Sequence, residues 1–255
     1  MDIPLKPIIA RMGGKSQLVD RLIEMIPPHD TYVELFTGGA SLFLKKPLSK
    51  FNVINDTDTD IMNIYKDIRD VENIDDFIID EEDVTAETYK GLKDMTEFNN
   101  KHQRLFRNIL LSKLSFSGNR KSFGGAKTRV PKFDQIKRYY DNYRYKFQHA
   151  DILNEDFKKV IDKYDNKKTF FFFDPPYSEL KKSWGYKDNT ITPEEIFKIL
   201  CKLKGKFLMT YDYSIDNVKL FGSKFNIYEV DTNYWTKKAD ERKDLVKEII
   251  ITNYD

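Results

Sequence analysis

One run of residues narrows the possible folds of this chain further than any other. Thr169 and four consecutive phenylalanines, Phe170–Phe173, are followed at once by Asp174-Pro175-Pro176-Tyr177. A stretch with no polar alternation reads as a strand buried on both faces, the situation of a parallel sheet. Two prolines then remove the backbone donors and the φ freedom that a ladder or a helix needs, so the chain leaves the sheet extended. An acid, carbonyls without adjacent N–H groups and an aromatic ring are thereby set at the carboxyl edge of a sheet, where open α/β folds bind their ligands. Such a segment can accept hydrogen bonds from an exocyclic amine and stack on the flat ring that carries it.

The rest of the chain alternates in the same sense. Periodicity predicts helices over 15–26, 40–46, 58–69, 134–145, 157–163, 193–203 and 215–221. It predicts strands over 32–36, 51–55, 147–152, 169–173, 206–211, 226–231 and 246–252. Strands alternating with helices imply an α/β fold, with a mostly parallel sheet and helices on both faces. Residues 70–146 lack that rhythm. They read as helical in pieces over 74–112 and as a loop or hairpin of small and basic residues over 115–131. The expected organisation is a main domain from 1–69 and 147–255, with an inserted, mainly helical subdomain at 70–146.

Composition bounds the function classes. At 255 residues, with 40% hydrophobic and 33% charged residues, the chain suits one large α/β domain carrying an insertion. No apolar stretch approaches the roughly 20 residues that span a bilayer. Met1–Arg11 has neither the core nor the cleavage site of a signal peptide. A cytoplasmic protein without membrane contact is expected, with a host nucleus as the alternative for a viral or eukaryotic source. Cys201 is the single cysteine, so no intramolecular disulfide forms, and its apolar helical setting predicts burial. His29, His102 and His149 have no metal-ligand spacing, and no metal is expected.

Net charge is +2, but it is unevenly spread. Residues 70–87 hold nine Asp/Glu and no Lys/Arg, which reads as a solvated acidic face. Residues 101–149 hold thirteen Lys/Arg against two acids, a local balance of +11. Nine aromatics from Phe106 to Phe147 are interleaved with them. Positive charge for phosphates together with flat side chains for bases is what a polyanion-binding surface needs.

Two glycine-bearing segments precede the proline motif. Arg11-Met12-Gly13-Gly14-Lys15-Ser16 fails as a triphosphate-binding loop, because Ile9 stands where that loop requires its first glycine. Glycines before a lysine at a helix start still suit close backbone approach to an anionic group. Tyr32-Val33-Glu34-Leu35-Phe36-Thr37-Gly38-Gly39-Ala40 reads as a strand, a glycine turn and a helix. Asn55-Asp56 ends the next strand about twenty residues on, where an acid can hold the two hydroxyls of a ribose. Asp58 or Asp60 can cap the following helix in its place.

In this order the segments resemble the Dam-type adenine-N6 DNA methyltransferases. The matching elements are Gly13-Gly14-Lys15, Glu34-Leu35-Phe36-Thr37-Gly38-Gly39, Asn55-Asp56, Asp156-Phe157, Asp174-Pro175-Pro176-Tyr177, Leu208–Tyr211 and Glu248–Tyr254. The order of cofactor lysine, glycine turn, recognition insert and catalytic tetrapeptide is similar to that family's alpha arrangement. The resemblance implies a seven-stranded, mostly parallel, Rossmann-like methyltransferase sheet whose last strand enters antiparallel. It implies S-adenosylmethionine as cofactor, bound by Arg11, Gly14, Lys15, Glu34, Phe36, Gly38, Gly39, Asp56, Asp156, Phe157 and Asp174. Asp174, Pro175, Pro176 and Tyr177 would be the catalytic residues, and residues 70–146 the target-recognition subdomain.

The implied substrate is double-stranded DNA, from which the target adenine is flipped. Many family members carry a basic hairpin in the insert. The stretch Ser117–Gly125 departs from it in detail, so no recognition sequence is carried over. Asn119, Arg120, Lys121 and Arg129 remain the candidates for reading bases or clamping phosphates. RNA as substrate and a catalytically silent nucleic-acid-binding module are the alternatives. Cytosine-N4 chemistry fits less well with Asp174 first in the tetrapeptide. A cognate restriction nuclease and the choice between monomer and homodimer stay open.

Overall fold

The computed structural model describes residues 3–9, 15, 18–125, 133–176, 191–232 and 246–255. Its strands are β1 (Thr31–Glu34), β2 (Phe51–Asn55), β3 (Asp151–Leu153), β4 (Thr169–Phe173), β5 (Lys206–Asp212), β6 (Asn226–Thr232) and β7 (Val246–Thr252). They form a seven-stranded sheet in the order β3-β2-β1-β4-β5-β7-β6. β1 pairs in parallel with β2 and β4, and β4 with β5, whereas β7 runs antiparallel to β5 and β6. This is the α/β sheet expected from the alternating pattern, with the antiparallel last strand that the resemblance implies.

The helices are α1 (Val19–Glu24), α2 (Ser41–Lys45), α3 (Thr59–Asp70), α4 (Ala86–Asp94), α5 (Lys101–Leu114), α6 (Asp134–Arg138), α7 (Tyr140–Gln148), α8 (Phe157–Tyr164), α9 (Pro193–Leu200) and α10 (Ile215–Gly222). No helix among the described residues is long and apolar enough to cross a membrane. Two compact units are drawn from the chain. One comprises Met1–Val19, Thr37–Leu48 and Asp56–Asn154, and the other Asp20–Phe36, Ser49–Asn55 and Glu155–Asp255.

The second unit is built on the apolar strands. All five residues of β4 are buried, which is why it tolerates four phenylalanines without alternation. In register with it, Tyr32 sits beside Phe170 and Glu34 beside Phe172 on β1, while Phe171 sits beside Phe207 on β5. The antiparallel partner β7 contributes Ile249, Ile250 and Ile251, all fully buried. The strand order steps away from β1 in one direction through β2 and in the other through β4. That reversal is a topological switch point, and open α/β sheets bind their ligands at the carboxyl ends of the strands flanking such a point, here β1 and β4.

The first unit is helical around α3, whose apolar stripe Ile61, Met62, Ile64, Tyr65 and Ile68 is buried. Phe147 on α7 stacks on Tyr65 at 4.8 Å and approaches Phe43 at 5.7 Å. This corrects the expected strand over 147–152. Tyr140, Tyr143 and Phe147 recur at helical spacing on one buried face, so α7 runs to Gln148 and only Asp151–Leu153 pairs as a strand. The helix expected over 134–145 is likewise two helices, parted at Tyr139. Cys201 is half-buried at the end of α9 and not a core residue, because α9 closes there at its C-cap.

Opposite charge blocks meet inside this unit. Asp67, fully buried, takes two hydrogen bonds from Arg104, at 2.8 and 2.6 Å. Lys101 reaches Asp70 at 2.7 Å, and His102 reaches Asp76 at 2.9 Å. Lys146 is buried and donates to the Lys46 carbonyl. Phe133, Tyr140, Tyr143 and Phe147 belong to the core. The nine acids of 70–87 are exposed, as a solvated face requires, with Asp70 and Asp76 meeting Lys101 and His102, whereas much of the basic, aromatic stretch packs internally.

Candidate active site

In the sheet-bearing unit the carboxyl ends of β1 and β4 are stitched side by side. The Leu35 N–H donates to the Phe172 carbonyl at 3.2 Å, one residue beyond the end of β1. Glu34 is buried there and accepts the Tyr32 hydroxyl at 2.6 Å, two residues along the same strand face. Burial pushes the Tyr32 phenol well above its ordinary pKa, and the neighbouring Glu34 carboxylate pushes it further, so the tyrosine stays a donor.

Asp174 follows β4 directly and is half-buried, with Pro175 buried behind it. Its Oδ1 accepts the Thr210 hydroxyl of β5 at 2.8 Å. Asn55 closes β2 from within. Its amide donates to the carbonyls of Leu35 and Glu155 and accepts the Glu155 N–H at 3.0 Å. That bond set fixes the approach to Asp156, an exposed N-cap of α8 whose carboxylate accepts the Lys158 N–H at 2.8 Å. Phe157, the next residue, packs against Phe36 with ring centroids 5.1 Å apart.

In the helical unit a second set of bonds surrounds the glycine turn. Gly38 takes φ of 48°, open to glycine without strain, and Ala40 takes φ of 56°, where an L side chain is disfavoured. The Gly38 N–H donates to Asp56 Oδ2 at 2.8 Å, and the Gly38 carbonyl accepts the Tyr65 hydroxyl at 2.6 Å. Asp56 Oδ1 accepts the Asp58 N–H at 2.9 Å. Asp58 itself caps α3 through the Ile61 N–H, the job expected of Asp58 or Asp60. Asn154 donates to the Asp56 carbonyl and accepts the Thr59 hydroxyl. Lys15 is buried, and its carbonyl receives the Leu18 N–H. Gly39 lies against the Ile9 carbonyl at a distance that leaves room for a Cβ.

Asn119, Arg120 and Lys121 sit on a loop closed by a Ser115–Phe123 bridge. The Asn119 side-chain oxygen accepts the N–H groups of Lys121 and Ser122, so it shapes the turn. Arg120, at φ 56°, turns its guanidinium to Asp58 and Asp60 at the start of α3. Lys121 is exposed, and its carbonyl accepts Lys93.

Of the predicted site residues, Glu34, Phe36, Asp156, Phe157, Asp174, Pro175 and Pro176 belong to the sheet unit. Lys15, Gly38, Gly39, Asp56, Asn119, Arg120 and Lys121 belong to the helical one. Arg11, Gly14, Arg129 and Tyr177 lie outside the described residues. Sequence reasoning passed over Thr210, Tyr65 and Asn154. Thr210 had a signal, a hydroxyl inside the apolar run Phe207–Tyr211, whereas Tyr65 is indistinguishable from its neighbours on an apolar helix stripe.

A family model for the D12 class N6 adenine-specific DNA methyltransferases matches residues 12–236. Among curated proteins, the chain is 27% identical to the type II methyltransferase M.MjaIII of Methanocaldococcus jannaschii, over 98% of this chain and 99% of that protein. It is 25% identical to the type II methyltransferase M.CviBI of Paramecium bursaria Chlorella virus NC1A, over 71% of this chain and 73% of that one. Among solved structures, an rRNA methylase from Streptococcus thermophilus aligns over 95% of this chain and 98% of that one, at 10% identity. Its TM-score of 0.38 carries no weight in the assignment. The family match spans the glycine turn, the insert and the proline motif in one continuous stretch, and the chain belongs to the D12 class N6 adenine-specific DNA methyltransferases.

Proposed function

We propose that this chain methylates N6 of a flipped-out adenine at specific sites in double-stranded DNA, with S-adenosylmethionine as methyl donor and Asp174-Pro175-Pro176-Tyr177 as the catalytic segment. The observation that carries the reading is the position of Asp174. It leaves β4 at the switch point, beside the carboxyl end of β1 that leads into Phe36 and the glycine turn.

The donor set suits the cofactor. A carboxylate oriented by two N–H groups, as in Asp56, is an acceptor for the two hydroxyls of a ribose. The rings of Phe36 and Phe157 offer apolar faces for an adenine, with Asp156 as acceptor at its edge. Arg11, Gly14, Lys15, Glu34, Gly38 and Gly39 hold the amino-acid end. When bound, S-adenosylmethionine supplies an electrophilic methyl group on a sulfonium.

The chain's own residues prepare the nucleophile. The N6 lone pair of adenine is delocalised into its ring. Asp174 and the Pro175 carbonyl accept the two amino hydrogens and draw the nitrogen towards tetrahedral geometry, which frees the lone pair. Their effect is positioning and preorganised dipoles. The methylated nitrogen is a cation far more acidic than the amine, so an ordinary carboxylate or water takes its proton. Tyr177 stacks on the flipped base. Asn119, Arg120, Lys121 and Arg129 serve target binding. A type II role beside a cognate nuclease is favoured by the names of both curated relatives.

The test is transfer of labelled methyl to unmodified duplex DNA, with RNA in parallel and Asp174→Ala as control. Label on DNA adenine N6, lost in the variant with cofactor affinity kept within a few-fold, supports the reading. A fully active Asp174→Ala, or label on RNA alone, overturns it.

A further inference from the structure

We infer that Thr210 is a positioning residue for methyl transfer: its hydroxyl, presented from inside the sheet, sets the orientation of the Asp174 carboxylate. The inference rests on the role proposed above for Asp174. Thr210 is fully buried in β5, the strand paired to β4, within Phe207-Leu208-Met209-Thr210-Tyr211. A hydroxyl taken out of water needs an acceptor. The acceptors it has lie at the end of the neighbouring strand, Asp174 Oδ1 at 2.8 Å and the Phe173 carbonyl at 3.4 Å.

That donor is unusually well fixed. Threonine is stiff at χ1, so the position of Oγ1 follows from the strand backbone. The backbone is held in turn on both sides, by β4 and by β7, where Ile250 is the partner of Thr210. Pro175 and Pro176, which follow Asp174 directly, contribute no backbone donors to it. A bond from Thr210 turns Oδ1 towards β5 and aims the other carboxylate oxygen away from that strand. A carboxylate that must meet one amino hydrogen while a carbonyl meets the other works only in a narrow range of orientations, and misplacement near 1 Å costs about a hundredfold in rate. Thr210 touches neither substrate nor cofactor in this scheme. It acts through Asp174.

The experiment compares steady-state kinetics of wild type, Thr210→Val, Thr210→Ser, Asp174→Ala and the Thr210→Val/Asp174→Ala pair, using the full chain, duplex DNA and S-adenosylmethionine. Thr210→Val keeps the shape and removes the donor. The expected result is kcat lowered about 10–100-fold with both KM values within about threefold. Thr210→Ser, which keeps a hydroxyl, should restore kcat to within about fivefold of wild type. The pair should be no slower than Asp174→Ala alone. Should Thr210→Val not fold, as judged by circular dichroism, Thr210→Ala takes its place with the same expected loss of kcat. Normal kcat in the donor-less variant, a loss confined to KM, or no rescue by serine overturns the inference while a dead Asp174→Ala leaves the proposed function standing. A fully active Asp174→Ala overturns both.

Discussion

The Gly38 N–H points into the Asp56 carboxylate at 2.8 Å, so the glycine turn after β1 and the acid after β2 are one construction. Tyr65 of α3 closes it from the other side by donating to the Gly38 carbonyl. The peptide groups on either side of the Gly38 Cα are therefore both held, and its left-handed φ is maintained by bonds to two separate places in the chain. Under the proposed cofactor role, Asp56→Ala removes the acceptor of the ribose hydroxyls and the anchor of the turn together. The expected loss of S-adenosylmethionine affinity is about tenfold or more. Tyr65→Phe removes one neutral hydrogen bond, about 1 kcal/mol, and should weaken binding by about five- to tenfold. Titration calorimetry of the DNA-free protein measures both. Unchanged affinity in Tyr65→Phe would show that the turn holds its shape without α3.

Arg120, proposed above for target binding, pairs with Asp58 and Asp60 in the DNA-free chain. Asp58 caps α3 and gives its N–H to Asp56, so the insert loop is tied to the segment that supports the glycine turn. Both partners are largely shielded, with side-chain exposures of 16% and 23%, which raises the interaction above that of a fully exposed pair. Arg120→Ala and Asp58→Ala should each destabilise the protein, and the double variant should lose less than the sum, with a coupling of about 1 kcal/mol. Urea unfolding of the four proteins gives the cycle. Strict additivity would show that the two side chains do not stabilise one another, and a reduced salt slope of DNA binding in Arg120→Ala would support its proposed contact to a phosphate.

The sheet was readable because its rules are local and one-dimensional. Phe170–Phe173 cannot alternate and so must be central, and the flanking prolines mark where β4 stops. The strands over 51–55, 169–173 and 246–252 fall where the pattern put them. The stretch at 147–152 misled because Phe147 and Ile152 suit a strand and a helix alike until Tyr65 and Phe43 are known to lie against the first. The basic block misled for a related reason, whereas the acidic one is exposed as read. Sequence shows that 70–87 and 101–149 are opposite in sign, but only the packing of α3 on α5 shows that they partly neutralise one another. At the site, acids and glycines were legible by type and spacing. Thr210 stood out as a hydroxyl in an apolar run, but its partner was not legible, since that depends on which strand lies beside β4.

Arg104 is the clearest case of a basic residue that belongs to the interior. It grips Asp67 with two nitrogens, and Asp67 has no exposed side-chain surface. The pairing holds the guanidinium above its ordinary pKa, with the Asp67 hydrogen bonds as the leading cause. Removing it strands a buried carboxylate, a change worth about 3–5 kcal/mol. Arg104→Ala should therefore unfold at much lower urea than wild type. Arg104→Lys, a point charge in place of a fork, should recover only part of the loss. Since α3 also carries Tyr65 and begins at Asp58, the alanine variant should show weakened cofactor binding as well. A loss below about 1 kcal/mol in Arg104→Ala would mean that the Asp67 carboxylate finds other hydrogen-bond donors, water included.

Asp70 makes the neighbouring, more exposed contact, and it has a pH signature of defined sign. Hydrogen bonds from Arg69 and then from Lys101 hold its carboxyl down to about 2, against the opposing effect of partial burial. A carboxylate depressed in the folded state adds stability wherever the unfolded chain is already ionised, above about pH 4, and that contribution fades as pH falls towards 2. The site is partly open to solvent and screened, so the effect is about 1 kcal/mol or less. Wild type and Asp70→Asn should thus differ by that amount in urea unfolding at pH 7 and low salt. The gap should hold down to about pH 4 and close progressively below it. It should also narrow as salt is raised, because surface pairs are screened within about 10 Å at 0.1 M. A gap that instead widened on acidification would mean that Asp70 is held by contacts favouring its neutral form, with Arg69 and Lys101 as bystanders.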